Sequence, residues 1–386
     1  MKRVVFPAQT NAPATSVDKN SFRAATVLLA CSLLLIVLFT LSAVAQEPPA
    51  TFTEFEVTGS GTGGFQGTYA LSINSSGEVA GYFINSNGVA IGFVRSASGT
   101  ITTFSAPCAG TSKGQGTFGG QINNSGTIAG NATDANGVHH GYIYTAASII
   151  CFEDPDAGTA SGQGTQCCGL NTSGTAAGYY IDTNNVRHGY IYSGGAFTPP
   201  SYDDPNAGTG ANQGTEGIAI NDSGTVAGPY IDSNGVFHGY IRSTSGTFTE
   251  IDVTGAGTGA GQGTAPLVIN NAGTVAGSYF NSTTTPNGFV YSSTGTITTF
   301  NVPNSLATVG IGINNDGFIC GWYEDDKGVA YGYVRSPSGT FTTFSAPHAG
   351  TSAGQGTYPF SLNDTPEVVG YLILSTDVYE GFTVAK

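Results

Sequence analysis

From about residue 52 onward the chain alternates short apolar-polar runs with clusters of Asn, Asp, Ser and Gly, and the alternation repeats. Its clearest copy is residues 213–243, QGTEGIAINDSGTVAGPYIDSNGVFHGYIRS. An Asn closing an apolar run recurs as Asn74, Asn123, Asn171, Asn221, Asn270, Asn314 and Asn363, at intervals of 49, 48, 50, 49, 44 and 49 residues. A period of this size marks a repeat architecture, in which each unit buries its apolar faces against its neighbours. Runs this short with period-two alternation read as strands rather than helices.

Each unit divides into four such strands. The first ends at the recurrent Asn, as at 71–73 and 267–269. A turn such as Asn124-Ser125-Gly126 leads to the second, at 78–83, 127–131 and 274–280. A further hairpin signal, Asn87-Gly88 or Asn234-Gly235, introduces the third, at 92–94, 141–143, 239–241 and 332–334. Gly at the end of these turns supplies the positive φ that tight hairpins need. The fourth strand follows a Ser-Gly-Thr turn, at 101–104, 297–300 and 341–344, and a Gly-rich return loop such as 109–117 leads onward.

Four antiparallel strands per unit predict an all-β chain, a seven-bladed β-propeller. Units begin near 66, 115, 163, 213, 262, 309 and 355, and 46–386 forms one domain. The domain opens with a lone fourth strand at 52–57 and ends with a three-strand unit closing at 379–386. The N-terminal strand is therefore expected to pair into the last blade and remove the open sheet edge. A β-solenoid, the competing architecture, needs no such offset. The sixth unit lacks the Gly-Gln-Gly loop and runs through 304–308 instead, and Pro366 replaces the turn Gly of the seventh. Pro229 falls inside a second strand, where its missing N–H predicts a bulge.

Residues 1–45 stand apart. Lys2, Arg3, Lys19 and Arg23 precede an uncharged apolar run at 24–41, followed by Ala43-Val44-Ala45. These are the parts of a secretory signal, with cleavage expected after Ala45. The run is also nearly long enough to span a bilayer, so an uncleaved membrane anchor is the alternative. Either way the repeats are expected in the periplasm or outside the cell, and any membrane contact only through that segment. Leu28-Leu29-Ala30-Cys31 resembles a lipoprotein box but has too little hydrophobic chain before it.

Without 1–45, seven Lys/Arg stand against 24 Asp/Glu, a formal charge of −17. Such a chain repels phosphate backbones and has no basic stripe to overcome that, which excludes nucleic acid as a partner class. Five cysteines remain: Cys108, Cys151, Cys167, Cys168 and Cys320. Cys320 takes the place that Ala80, Ala129, Ala177, Ala227 and Ala276 hold in other units, and reads as a small buried thiol. The other four lie in neighbouring units and can form a local disulfide whose connectivity the sequence leaves open.

Ile-Asn-x-x-Gly-x-Val-x-Gly followed by His-Gly-Tyr, as at His140-Gly141-Tyr142, His188-Gly189-Tyr190 and His238-Gly239-Tyr240, resembles the HAF-type bacterial extracellular repeat. Here Gly replaces the Ala of His-Ala-Phe, and four units carry Ile91, Asn287, Tyr331 or Glu380 in place of His. The resemblance extends over essentially all of 51–386 and implies an exported bacterial repeat protein; it brings no catalytic residues.

A residue repeated in every unit is architecture before it is chemistry. The recurrent Asn is expected to bond its own turn, and the recurrent Gln (Gln66, Gln115, Gln163, Gln213, Gln262, Gln355) to brace the return loop. His140, His188 and His238 are the sharpest catalytic candidates, with Asp203 and Asp204 beside them, because imidazole and carboxylate together move protons or hold metals. Asp182, Asp232, Tyr179, Tyr180 and Trp322 are candidate ligand contacts. Blade-to-blade spacing is too wide for one ion shared between histidines. The turns lack the carboxylate count of a calcium loop, and no metal or cofactor is expected.

Three readings follow. The first is a non-enzymatic, monomeric binding module for a glycan or a surface protein. The second is a polysaccharide lyase or hydrolase using His and carboxylates on one loop face. The third is a structural envelope component. Convergence of the histidines, or of Asp203 and Asp204, on one pocket would favour the enzyme.

Overall fold

The computed structural model describes residues 51–197 and 201–385, so the expected signal segment lies outside the described residues. All regular secondary structure among these residues is strand. In the first unit Gly67–Ile73 pairs antiparallel with Val79–Ile84, which pairs with Ala90–Arg95, which pairs with Ile101–Phe104. The same succession recurs to the end of the chain. The hairpin between second and third strands is held by an Asx turn. Asp182 Oδ1 accepts the N–H groups of Asn184 and Val186 at 2.8 Å each, and Asn85, Asp134, Asp232 and Asp325 do the same in their units.

The recurrent Asn does more than cap its own turn. Asn221 Oδ1 accepts the Thr225 N–H at 3.0 Å, while its Nδ2 donates to the main-chain carbonyl of Asn270 at 3.2 Å. Every copy repeats this: Asn74 to Asn123, Asn123 to Asn171, Asn171 to Asn221, Asn270 to Asn314, Asn314 to Asn363, and Asn363 back to Asn74. Seven side chains thus form a closed ring of buried hydrogen bonds, each at most 6% exposed. The ring gathers the ends of all the first strands around one axis.

Apolar packing follows the same neighbour-to-neighbour rule. One core cluster joins Ala80 and Ala106 of the first unit to Ile122, Ile128 and Tyr142 of the second; another joins Val369 of the last unit to Ala70, Val79 and Phe93 of the first. The buried tyrosines keep their hydroxyls satisfied, Tyr142 donating to the Phe118 carbonyl and Tyr240 to that of Glu216, both at 3.0 Å. Consecutive units also touch through backbone. Gly116 bridges Ala90 with φ +123°, and a Cβ there would sit 2.1 Å from the Ala90 carbonyl oxygen. Only Gly permits that approach. No such bridge leads into the sixth unit among the described residues; there Pro286 has no N–H to give, and the Gln loop that would accept it is missing.

The N-terminal strand Thr51–Phe55 pairs antiparallel with the last strand, Tyr379–Ala385, and Gly67 bridges Tyr379, so both contacts close the ring. Two further links occupy one repeat position. Cys108, in a return loop, is disulfide-bonded to Cys151 of the next unit's fourth strand. His348, at the place of Cys108, hydrogen-bonds Glu54, at the place of Cys151, across the closing seam. Cys167 and Cys168 are free thiols, and Cys320 is fully buried.

The bulge expected at Pro229 lies elsewhere. The strand Val226–Ile231 pairs in unbroken register with Phe237–Arg242. The irregularity falls on the first strand opposite it, split into Gly214–Thr215 and Ala219–Ile220. First strands shift register in the other units as well, between Ala70 and Ser72 for example. The cause is the small Gly of each second strand, against which the first-strand backbone folds closely: a Cβ on Gly228 would lie 2.0 Å from the Glu216 carbonyl oxygen.

Two outcomes test this account. Asn221→Ala orphans the Thr225 N–H, removes the inter-unit donor from the Asn270 carbonyl, which keeps the Gly273 N–H, and is expected to lower unfolding free energy by about 1–3 kcal/mol; urea unfolding with an unchanged midpoint would contradict the ring's role. Introducing Glu54→Cys with His348→Cys should yield a spontaneous disulfide, since the equivalent pair forms one, and stabilise by about 2–4 kcal/mol. Two thiols still titratable after air oxidation would show the positions are not equivalent.

Candidate functional site

The three candidate histidines occupy one slot, the second residue of the third strand in consecutive units. His140 Nδ1 lies 3.0 Å from Glu153, His188 Nδ1 2.9 Å from Asp203, and His238 Nδ1 2.8 Å from Asp252. On its other side each ring faces the hairpin Asp of its own unit, at 3.6 Å from Asp134, 3.8 Å from Asp182 and 3.9 Å from Asp232. In the fifth unit the same slot holds two neutral amides, with Asn301 Nδ2 donating to Asn287 Oδ1 at 2.8 Å. The slot is therefore a cross-strand polar pair that either chemistry can fill.

The histidines do not share a pocket; each is enclosed by carboxylates of its own unit. Asp203 and Asp204 also part company. Asp203 serves His188, while Asp204 faces the charges of His238 and Glu250 in the following unit. Asp182 and Asp232 are occupied by their hairpins; burial opposes their ionisation, but the N–H groups of Val186 and Val236 and the neighbouring Asn side chains outweigh it and hold both below the usual carboxylate range. Tyr180 stacks on His188 at 4.8 Å, and Tyr230 on His238 at 4.9 Å. Tyr179 and Tyr180 are 1% and 5% exposed. Trp322 is half-buried and meets the edge of Tyr358 at 5.5 Å.

Asp154 and Asp204 are departures from the repeat. Both are at most 5% exposed, at a position filled by Val57, Ala106, Val253, Val302 and Ala346 elsewhere. Burial raises the pKa of each carboxyl. Both precede a unit with a Tyr–His stack, so polarity enters this buried position only where that stack is present.

A second concave feature lies on the axis. A cavity of about 340 Å³ is lined by the first strands of all the repeat units. One side carries Tyr69, Tyr82, Tyr371 and Phe360; Tyr69 stacks on Tyr82 at 4.6 Å with rings 5° from parallel, and on Tyr379 at 4.4 Å. The other side carries Gln121, Asn131, Cys167, Cys168 and Glu216. Glu216 is 8% exposed and pairs with Arg187 Nε at 3.0 Å; burial raises its pKa while the guanidinium pulls it down. Burial also pushes the Cys167 thiol up to about 12, which leaves it a poor nucleophile. None of the candidate histidines lines this cavity. The sequence reading missed these residues, because the first-strand register shift breaks the alternation that would reveal which side chains face inward.

No protein-family model matches this chain, and no curated protein matches it. Among solved structures, a streptogramin B lyase aligns over 87% of this chain and 98% of its own, at 14% identity and a TM-score of 0.53. The BP39L lectin of Burkholderia pseudomallei covers 69% of this chain and 79% of its own, at 11% identity and a TM-score of 0.45; the SapL1 lectin covers 69% and 91%, at 13% identity and 0.41. The likeness to the lyase is one of fold. Together with the closed, all-strand ring it makes this chain a β-propeller.

One titration checks the His slot. The Asp203 hydrogen bond outweighs burial and raises the His188 pKa above its ordinary 6.5. A raised pKa means that this pair stabilises the fold fully below about pH 6.5, and that the contribution fades as pH rises through the folded value. In a proton NMR titration Asp203→Asn should bring the His188 midpoint down; an unmoved midpoint would remove Asp203 as the cause.

Proposed function

We propose that the protein is an exported binding module, a propeller of seven four-stranded blades that holds a glycan in its axial cavity. Its volume falls within the range of small-molecule sites. The observation that carries the reading is the division of the cavity wall: stacked tyrosines on one side, and Glu216 and Gln121 on the other. A sugar presents an apolar face of C–H groups and an edge of hydroxyls, and these two walls match them. The three histidines, each enclosed in its own unit, support binding rather than catalysis on the loop face. Export follows from the basic and apolar segment at 1–45, with cleavage after Ala45 or retention as an anchor.

The test is a polysaccharide panel scored for both bound and cleaved material. Binding without cleavage is expected, unaffected by chelator, weakened by Tyr82→Ala and Glu216→Gln, and retained in His188→Ala. Binding that survives both cavity substitutions, or cleavage of any polymer, would overturn the reading.

A further inference from the structure

Among the described residues, the fourth unit brings one histidine and two carboxylates within reach of a single ion. The penultimate residue of its fourth strand is Glu250, where three other units have Thr103, Thr299 and Thr343. Asp252 follows that strand, at the place that Glu153 and Asp203 hold in the two preceding units. His238 faces both: its Nδ1 lies 2.8 Å from Asp252 Oδ2 and 3.7 Å from Glu250 Oε1. One donor atom from each of the three side chains lies within 4.8 Å of the other two.

The surroundings hold these donors in place. Tyr230 stacks on the imidazole with rings 14° from parallel, and its hydroxyl donates to Glu250 Oε1 at 2.6 Å. Asp232 faces the opposite ring nitrogen, Nε2, at 3.9 Å, the place of a carboxylate that orients a metal-bound histidine. Asp204 adds a further carboxylate from the preceding unit. This residue is 5% exposed where most units have Val or Ala. Its Oδ1 accepts the Asn206 N–H at 2.9 Å in a turn of its own, and the charges of Glu250 and His238 act on it.

We propose that His238, Glu250 and Asp252 bind a divalent transition-series cation, Zn²⁺ and Mn²⁺ alike. One imidazole nitrogen and two carboxylates suit such ions, with water completing the shell. Glu250 and Asp252 are half-exposed, which gives an ion access from solvent. The preceding unit is an internal control. His188 and Asp203 repeat the pair, but Ser201 stands where Glu250 would be, so the third ligand is missing. This ion is local to one unit and independent of the axial cavity, so chelation is expected to leave glycan binding intact.

The test is calorimetric titration of metal-free protein with Zn²⁺, and in parallel with Mn²⁺, which has little affinity for the free thiols. One saturable site is expected with each ion. His238→Gln should abolish it, Glu250→Thr should weaken it by about tenfold or more, and His188→Gln should leave it unchanged. Glu250→Thr installs the residue other units carry, so its thermal unfolding should match the parent and separate ligand loss from misfolding. Absence of saturable Mn²⁺ binding, or a site indifferent to His238→Gln and Glu250→Thr, would overturn the assignment.

Discussion

Seven asparagine side chains carry the architecture. Each closes its own turn with Oδ1 and reaches the next unit's carbonyl with Nδ2, so local and long-range order rest on the same amide. The bonds are buried, and breaking one leaves polar groups with no water to replace the partner. A carboxylate could close the turn but not donate, and a lysine could donate but not close the turn. Asn is the residue that does both, which is why the repeat announces itself through it.

Against this regular frame, the chemistry of the protein resides in its departures. The His slot shows the distinction. Filled by His–acid pairs in three units and by Asn287 and Asn301 in another, it reads as a cross-strand pairing position. Asp154 and Asp204 cannot be read that way, because other units place Val or Ala there and fold without them, and Glu250 stands where three units carry Thr. The same comparison links the disulfide Cys108–Cys151 to His348–Glu54 as two solutions to fastening one unit onto the next.

Much of the fold was legible because turn chemistry is local. Asn-x-Gly hairpins placed the strands, and the fourth strands at 101–104, 297–300 and 341–344 coincide with those in the structure. The offset between lone first and three-strand last units led to the pairing of Thr51–Phe55 with Tyr379–Ala385. The bulge was misplaced at Pro229, since a missing N–H looks like the cause of irregularity while the true cause is the close approach of the first strand to a second-strand Gly. The disulfide needed the three-dimensional pairing of a return loop with the next unit's fourth strand. For the candidate site, the His residues were visible by repetition, whereas Glu250 and Asp252 were overlooked. Aligning the fourth strands, Ile-Thr-Thr-Phe against Phe-Thr-Glu-Ile, is the signal that finds them. The axial cavity stayed hidden because a register shift in each first strand reverses the parity of inward and outward side chains.

The central claim is a ring continuous across the seam between the last and first units. It is tested most directly by hydrogen exchange of the Asn side-chain amides, comparing Asn363, which spans the seam, with Asn171, far from it. The account predicts that both exchange slowly and at a common rate, set by global unfolding. Fast exchange of Asn363 beside a protected Asn171 would contradict it, showing an open arc in place of a closed ring.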